Sequence, residues 1–245
     1  MRKTILITGS SRGIGRATAL SLNDTNLNVV VNYKEQKEKA EEVVTILRTR
    51  GLNAIAIQAD ISKFEQVENM FKQIKDTFGG VDILVNNAGI ASVAFCQDVS
   101  IEMWHEIFAV NVDGMFYCTK LALENMISKK SGVIVNLASI WGQTGGSMES
   151  HYSATKGAIM SYTKALASEL GPSNIRVNAV APGGIFTDMI AGLPKPALDA
   201  YASEVPLLRI GEPNEIANTI KFLISDDASY ITGQIIAVNG GHYMG

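Results

Sequence analysis

Lys3-Thr4-Ile5-Leu6-Ile7-Thr8-Gly9-Ser10-Ser11-Arg12-Gly13-Ile14-Gly15 is the stretch that decides the fold. An apolar run stops at Thr8-Gly9, glycines recur at 13 and 15, and a helical pattern opens at Ile14. The sequence therefore reads as strand, tight turn, helix. A helix N-terminus in that position offers unpaired N–H groups and positive dipole to an anion, and the glycines let the backbone approach closely. The spacing is G-x-x-x-G-x-G, not the commoner G-x-G-x-x-G, so its place between a strand and a helix carries more weight than the glycines alone.

Outward from this turn, short β-rich runs alternate with longer amphipathic stretches. Strands are expected at 3–8, 28–32, 54–58, 83–86, 133–137, 176–180 and 234–238. Most are near-continuous apolar runs, as strands covered on both faces should be. Helices are expected at 14–22, 36–50, 63–77, 101–126, 152–170 and 213–224, with Ser62 and Ser100 as N-caps. Asp24-Thr25-Asn26 precedes the second strand where a glycine would be usual, and Asn26 tolerates a left-handed turn. Sustained alternation with right-handed crossovers predicts one α/β domain over residues 1–245. Its expected form is a Rossmann fold: a seven-stranded, mainly parallel, doubly wound sheet with helices on both faces. One stretch, 182–211, resists the alternation and holds four of the six prolines, which predicts a substrate lid.

Composition narrows the function. Apolar residues make up 47% of the chain and charged residues 18%, enough for a large core and against disorder. A net charge of −3 gives no global reason to bind nucleic acid or an anionic membrane. No run of about 18 apolar residues exists to span a bilayer. The basic, apolar start is cut short by Thr8-Gly9-Ser10 and lacks the form of a secretory leader. Two cysteines, Cys96 and Cys118, make no disulfide framework, so a reducing cytoplasm is the expected compartment. His105, His151 and His242 are scattered, read as surface or packing residues, and suggest no metal site. Trp104, Trp141 and the methionines read as core, lid or interface residues.

The nucleotide end extends beyond the glycine turn. Cofactor choice is set near the end of the second strand, where an acid would bind the ribose 2′-hydroxyl of NAD. Here the chain reads Val31-Asn32-Tyr33-Lys34, with no acid before Glu35. Arg12 and Lys34 are placed to face a 2′-phosphate, which predicts NADP(H), with NAD(H) as the alternative. Asp60, after the third strand, is suited to accept from an adenine amino group or to cap the next helix. Asn86-Asn87-Ala88-Gly89 closes the fourth strand and suits a backbone-lined crevice.

The chemical end is Tyr152 and Lys156, one helical turn apart and on one face. A free tyrosine has a pKa near 10, too high for a base at neutral pH. An ammonium about 4 Å away contributes on the order of 4 kcal/mol at an effective dielectric of 20, equivalent to about three pKa units. Tyr152 is thus expected to be a tuned acid/base. Tyr-x-x-x-Lys arises often by chance as a surface pair; Ser139, closing the fifth strand, and Asn111, a polar residue in a helical stretch, supply the context.

In that order, Thr8-Gly9-x-x-x-Gly13-x-Gly15, Asn86-Asn87-Ala88-Gly89, Asn111, Ser139, Tyr152-x-x-x-Lys156 and Pro182-Gly183 closely resemble the motifs of the short-chain dehydrogenase/reductase family, over essentially the whole chain. The resemblance implies an NAD(P)-dependent oxidoreductase acting on CH–OH groups. In it Tyr152 is the general acid for reduction, Ser139 orients the carbonyl, and Lys156 holds the nicotinamide ribose and lowers the tyrosine pKa. Asn111 anchors a water that feeds the proton relay, and Thr187 binds the nicotinamide carboxamide. It also implies dinucleotide contacts from Gly9, Ser11, Arg12, Gly13, Ile14, Gly15, Asn32, Asp60, Ile61, Asn87, Ala88, Gly89, Tyr152, Lys156, Pro182, Gly183, Ile185 and Thr187, and a homotetramer. Within the family the sequence is most similar to 3-oxoacyl-[acyl-carrier-protein] reductases, through Ser10-Ser11-Arg12, Ile231-Thr232-Gly233 and the Asn239-Gly240-Gly241-x-Tyr243-Met244 tail. That implies NADPH-dependent reduction in fatty acid synthesis. Bulky and charged residues at Ser139-Ile140-Trp141-Gly142 and Met148-Glu149-Ser150-His151 keep another small carbonyl, sugar or polyol open as substrate. A non-catalytic nucleotide-binding regulator is the reading from a different class, and the intact Ser139/Tyr152/Lys156/Asn111 set argues against it.

Overall fold

In the computed structural model, which describes residues 2–188, 190, 192 and 194–244, β1 (Lys3–Ile7) lies between two parallel neighbours. On one side is β2 (Leu27–Tyr33), itself paired with β3 (Asn53–Gln58). On the other is β4 (Ile83–Asn86), followed by β5 (Gly132–Leu137), β6 (Ile175–Pro182) and β7 (Ile235–Val238). The order is β3-β2-β1-β4-β5-β6-β7, and every pairing is parallel. The winding direction reverses between β1 and β4, where open α/β sheets leave a crevice at the strands' C-terminal ends.

Each strand serves two cores, which explains the continuous apolar runs. Ile5 and Ile7 enter one cluster with Ala40, Val43, Leu47, Ile216 and Ile220, beneath α1 (Gly13–Ser21), α2 (Lys37–Thr49) and α9 (Pro213–Ile224). Leu6, between them, enters the opposite cluster with Val67, Met70, Cys118, Ala122 and Leu166. That face is covered by α3 (Phe64–Phe78), α5 (Gly114–Lys129) and α7 (Ser150–Leu170), the last preceded by the short α6 (Trp141–Thr144). Each fully buried Ile or Leu contributes roughly 1.5–3 kcal/mol. No helix of the described residues is long and apolar enough to cross a membrane.

Several local expectations are corrected. Ser100 does cap α4 (Ile101–Phe108), accepting the Met103 N–H at 3.1 Å. Ser62 caps nothing: its hydroxyl donates to the Asp60 carboxylate at 2.7 Å, and α3 starts after Lys63 without a side-chain cap. Before β2 the turn needs no left-handed Asn26, because the Asp24 carboxylate accepts the Asn26 N–H at 2.9 Å. The single helix expected over 101–126 is interrupted: a π-helical turn, Ala109–Asp113, joins α4 to α5.

The segment 182–211 is not irregular throughout. It begins inside β6 and carries α8 (Lys195–Glu204); residues 189, 191 and 193 of the expected lid lie outside the described residues. Pro196 sits in the first turn of α8, where a missing N–H breaks no helical hydrogen bond. The base of the excursion is closed by the Gly211 N–H donating to Gly184 O at 2.9 Å and the Phe186 N–H donating to Gly211 O at 2.8 Å.

Candidate active site

The glycine turn is stitched to the end of β4. Thr8 Oγ1 accepts the N–H groups of Asn87 and Ala88, both at 3.0 Å, and Asn87 Nδ2 donates to Thr8 O at 2.8 Å and Gly9 O at 3.1 Å. Gly9 (φ +62°) presses against Ala88, where an added Cβ would stand 3.0 Å from Ala88 Cα. At Gly15 a Cβ would fall 2.5 Å from Asn87 Nδ2 and 2.6 Å from Gly9 O, so only glycine fits. Arg12, ahead of α1, makes no side-chain cap, which leaves the first-turn N–H groups free to face an anion. Ser11 and Ile61 are buried beside this region. Ile14 is half-buried against the core, and Thr187 rests over Gly13.

Asn32 and Asn86 point elsewhere than a ligand crevice requires. Asn32 is buried; its Oδ1 accepts the Gly9 N–H at 3.1 Å and its Nδ2 donates to Ala59 O at 3.1 Å, so the side chain braces the turn. Asn86 turns into the sheet, donating to Asn136 Oδ1 at 2.9 Å and Thr119 Oγ1 at 3.1 Å, while Asn87 faces the turn. The two cations expected to face a 2′-phosphate both have acidic partners. Lys34 Nζ lies 3.1 Å from Asp60 Oδ2, and Arg12 Nη1 lies 3.1 Å from Asp188 Oδ2. Hydrogen bonding to Asp60 raises the Lys34 pKa. Burial works to raise the Asp60 carboxyl, but hydrogen bonds from Ser62 and Lys34 outweigh it and the pKa falls.

At the chemical end, β4, β5, α5 and α7 bring Gly89, Ser139, Asn111, Tyr152 and Lys156 together. The π-helical turn carries Asn111 into the interior, where it is 1% exposed. Its Oδ1 accepts the Ile90 N–H at 2.8 Å, and its Nδ2 donates to Ile90 O at 2.9 Å and Thr155 Oγ1 at 3.1 Å. Gly89 is the spacer: a Cβ there would stand 3.2 Å from Asn111 Oδ1 and 3.7 Å from Lys156 Nζ. Lys156 Nζ donates to Leu137 O at 2.7 Å and lies 5.5 Å from the centre of the Tyr152 ring. Ser139 Oγ accepts the Trp141 N–H at 3.2 Å.

Burial, rather than the ammonium, governs the tyrosine of the chain by itself. It pushes the Tyr152 phenol up to about 12, with a Ser139 hydrogen bond working to lower it and the Glu149 charge to raise it. Burial likewise pushes Lys156 down to about 8. The expectation that Lys156 lowers the Tyr152 pKa is therefore corrected: desolvation of both groups wins.

Of the two readings open for His151, surface or packing, the structure gives packing. It is fully buried, with Nε2 2.7 Å from Ser92 Oγ and Nδ1 without a partner among the described residues. This bond ties the segment after β4 to the first turn of α7, directly beside Tyr152, and the Ala94 N–H bond to Met148 O at 2.8 Å reinforces it. Ser92 and Thr155 were not singled out from the sequence; Thr155's only signal is its place between Tyr152 and Lys156.

A glycine turn at the switch point, with buried Ser139, Lys156 and Asn111 and half-buried Tyr152 across the crevice, defines a nucleotide-dependent enzyme scaffold. The family model described as Enoyl-(Acyl carrier protein) reductase matches residues 9–243, and the chain belongs to the short-chain dehydrogenase/reductase family. It is similar to the 3-oxoacyl-[acyl-carrier-protein] reductase FabG of Staphylococcus epidermidis, 44% identical over 244 residues, covering 100% of both chains. It is also similar to that of Staphylococcus aureus, 43% identical, covering 100% of this chain and 99% of the relative. The 3-oxoacyl-[acyl-carrier-protein] reductase of Synechocystis is 42% identical over 240 residues, 98% of this chain and 96% of the relative.

Proposed function

We propose that this protein is an oxidoreductase that uses NADPH to reduce the ketone of a 3-oxoacyl-[acyl-carrier-protein] thioester to the 3-hydroxyacyl form in fatty acid synthesis. The observation that carries the reading is the convergence of Tyr152, Lys156, Ser139 and Asn111 on the crevice that opens beside the glycine turn. Full-length similarity to curated reductases of that name supports it.

The residues fit a dinucleotide. Gly9, Gly13 and Gly15 leave the space that side chains would fill, the open first turn of α1 with Ser11 and Ile14 suits a pyrophosphate, and Arg12 ahead of it would face a 2′-phosphate. Asp60 and Ile61 would hold the adenine, with Asn32 bracing the turn beneath. Asn87, Ala88 and Gly89 would line the ribose side, and Pro182, Gly183, Ile185 and Thr187 the nicotinamide side. Bound there, the dinucleotide supplies the hydride. Ser139 would hold the carbonyl oxygen, and Tyr152 Oη would deliver the proton to it as the hydride reaches carbon. Lys156, one turn along, would hydrogen-bond the ribose and shift toward the phenol as it loses its proton. Asn111 positions this group through Ile90 and Thr155, and in the family's relay it would anchor a water.

A homotetramer in the cytoplasm is the proposed setting. Exposed Ile101, Trp104, Phe116 and Ile127 on α4 and α5, and Met244 in the tail, support contact between copies. Light scattering reads the assembly. The function is tested by NADPH oxidation with acetoacetyl thioesters of acyl-carrier protein and coenzyme A, against crotonyl thioesters, sugars and diketones. Reduction of the ketone thioesters is expected; activity confined to crotonyl thioesters or to non-thioester carbonyls removes the assignment.

A further inference from the structure

The excursion after β6 is tied down at both ends. At its outgoing end Thr187 rests over Gly13 of the glycine turn, and Asp188 Oδ2 lies 3.1 Å from Arg12 Nη1. At its returning end the partner is the tail after β7. Tyr201 Oη on α8 and His242 Nδ1 are 3.2 Å apart and hydrogen-bonded, and the Leu207 N–H donates to Gly240 O at 3.2 Å.

The tail is shaped for that contact. Asn239 Oδ1 accepts the Gly241 N–H at 2.9 Å and its Nδ2 donates to Tyr243 O at 2.9 Å, so one side chain sets the bend. Gly240 and Gly241 follow in left-handed conformation, with φ +66° and +87°. A Cβ on Gly240 would stand 2.6 Å from Val205 Cγ1, and one on Gly241 3.0 Å from Pro206 Cγ, so the glycines let the returning chain lie close. The bend brings the His242 ring edge-to-face onto the Tyr201 ring at 5.1 Å. Tyr201 also packs on Gly184, where a Cβ would stand 3.0 Å from Oη. One phenol thus joins α8, the tail and the chain leading out of β6.

The two ends differ in kind. Arg12 and Asp188 are well exposed, so water and salt compete for their pairing. A 2′-phosphate would compete for the same guanidinium. Tyr201 and His242 are half-buried, which shields their bond. A cavity of about 230 Å³, lined by Val205, Leu207, Val238 and Gly240 among others, lies between the returning chain and the tail, so discrete contacts and not a packed core join them. We propose that Tyr201 and His242 are positioning residues, whose bond is the fixed end of a lid with its free edge at Arg12–Asp188 and slows release of the bound dinucleotide. The inference rests on the proposed function, because it takes the glycine turn as the NADPH site. When the cofactor draws Arg12 from Asp188, the tail contacts still hold the chain over Gly13.

The test uses the whole enzyme with Tyr201→Phe, His242→Phe and the double variant. Each change keeps a ring and removes one half of the bond. NADPH release, followed by stopped-flow fluorescence with excess NADP⁺ as chase, is expected to quicken about three- to tenfold in each single variant. The double variant should release no faster than the quicker single one, since both changes remove the same bond. A role confined to fold stability would lower the melting temperature and leave release unchanged. Release within about twofold of wild type in both single variants overturns the inference, as do additive effects in the double. Amide hydrogen exchange of α8 in the unliganded protein is read in parallel and is expected to quicken in all three variants. A wild-type enzyme that binds no NADPH removes the proposed function, and unchanged exchange in α8 would then overturn the fixed end by itself.

Discussion

The Lys156 ammonium is anchored on the carbonyl oxygen of Leu137, at 2.7 Å, in a site where burial holds its pKa down to about 8 and that of the neighbouring Tyr152 up to about 12. Lysine is held at the last residue of β5 and tyrosine one turn back on α7, so the two groups share one pocket. A pair in that state favours neutral phenol. Neutral phenol is the form that gives a proton to a carbonyl, so the pocket is set for reduction.

A direction-dependent pH profile follows. With Tyr152 raised from its ordinary value, the phenol stays protonated between about pH 6 and 9. Carbonyl reduction by Tyr152 is expected to be nearly flat in that range at saturating cofactor, while oxidation of the product alcohol, which needs phenolate, rises with pH. Steady-state rates in both directions read this. Tyr152→Phe is expected to abolish both while leaving NADPH binding intact by fluorescence titration; unchanged turnover removes Tyr152 as proton donor.

Lys156 also carries a stability signature. Its folded pKa lies below the unfolded value of 10.5, so between about pH 8 and 10.5 the unfolded chain holds more of this proton than the folded one. The penalty for burying the charge is complete below about pH 8, on the order of 3 kcal/mol, and fades as pH rises. Tyr152 works the other way between about pH 10 and 12, where the folded chain keeps the phenol proton. Wild-type stability from urea melts is therefore expected to gain a Lys156 contribution from pH 8 to 10, and Lys156→Met should lack that rise. Parallel slopes in the two proteins would contradict the buried ammonium.

Ile5, Leu6 and Ile7 show why the fold was legible. Alternate residues feed opposite cores, so the strand must be apolar throughout, and a parallel sheet covered on both faces follows. The site's backbone was legible for a similar reason: Gly15 has no room for a Cβ, and a steric demand of that kind fixes residue type. Side-chain bonding between distant segments leaves no such trace. Lys34 next to Glu35 gives no sign that it pairs with Asp60, and Arg12 none that it meets Asp188. The π-helical turn was equally hidden, because Asn111 reads as one polar residue in a helical pattern and only the extra residue in the turn carries it inward. The direction of the Tyr152 shift was missed because spacing reports nearness and says nothing of desolvation.

The Ser92–His151 bond sets up a separable effect. His151 is fully buried with Nδ1 without a partner among the described residues, so Ser92→Ala leaves both ring nitrogens without one among them. Stability is expected to fall by about 1–3 kcal/mol. The strain falls on the turn that presents Tyr152, so kcat should drop several-fold with NADPH affinity little changed. Ser92→Thr, which keeps the hydroxyl, should restore most of both. Thermal melts with steady-state kinetics read the pair; a drop in NADPH affinity equal to the drop in kcat would place the effect elsewhere.

The Arg12–Asp188 pair predicts how cofactor preference can be moved. Both side chains are well exposed, 59% and 60%, and such pairs contribute only about 0–1 kcal/mol. A 2′-phosphate carries more charge than one carboxylate and accepts two guanidinium hydrogens at once, so it should displace Asp188 from Arg12. Asp188→Asn is then expected to lower KM for NADPH by about threefold, and Arg12→Ala to raise it by about tenfold. KM for NADH, which has no phosphate at that position, should move little in either variant. The two cofactors measured side by side at low and high salt decide the matter, since a charge effect must shrink as salt rises. An Arg12→Ala variant that weakens NADH and NADPH equally would show that the arginine serves the pyrophosphate or the lid and does not read the 2′-phosphate.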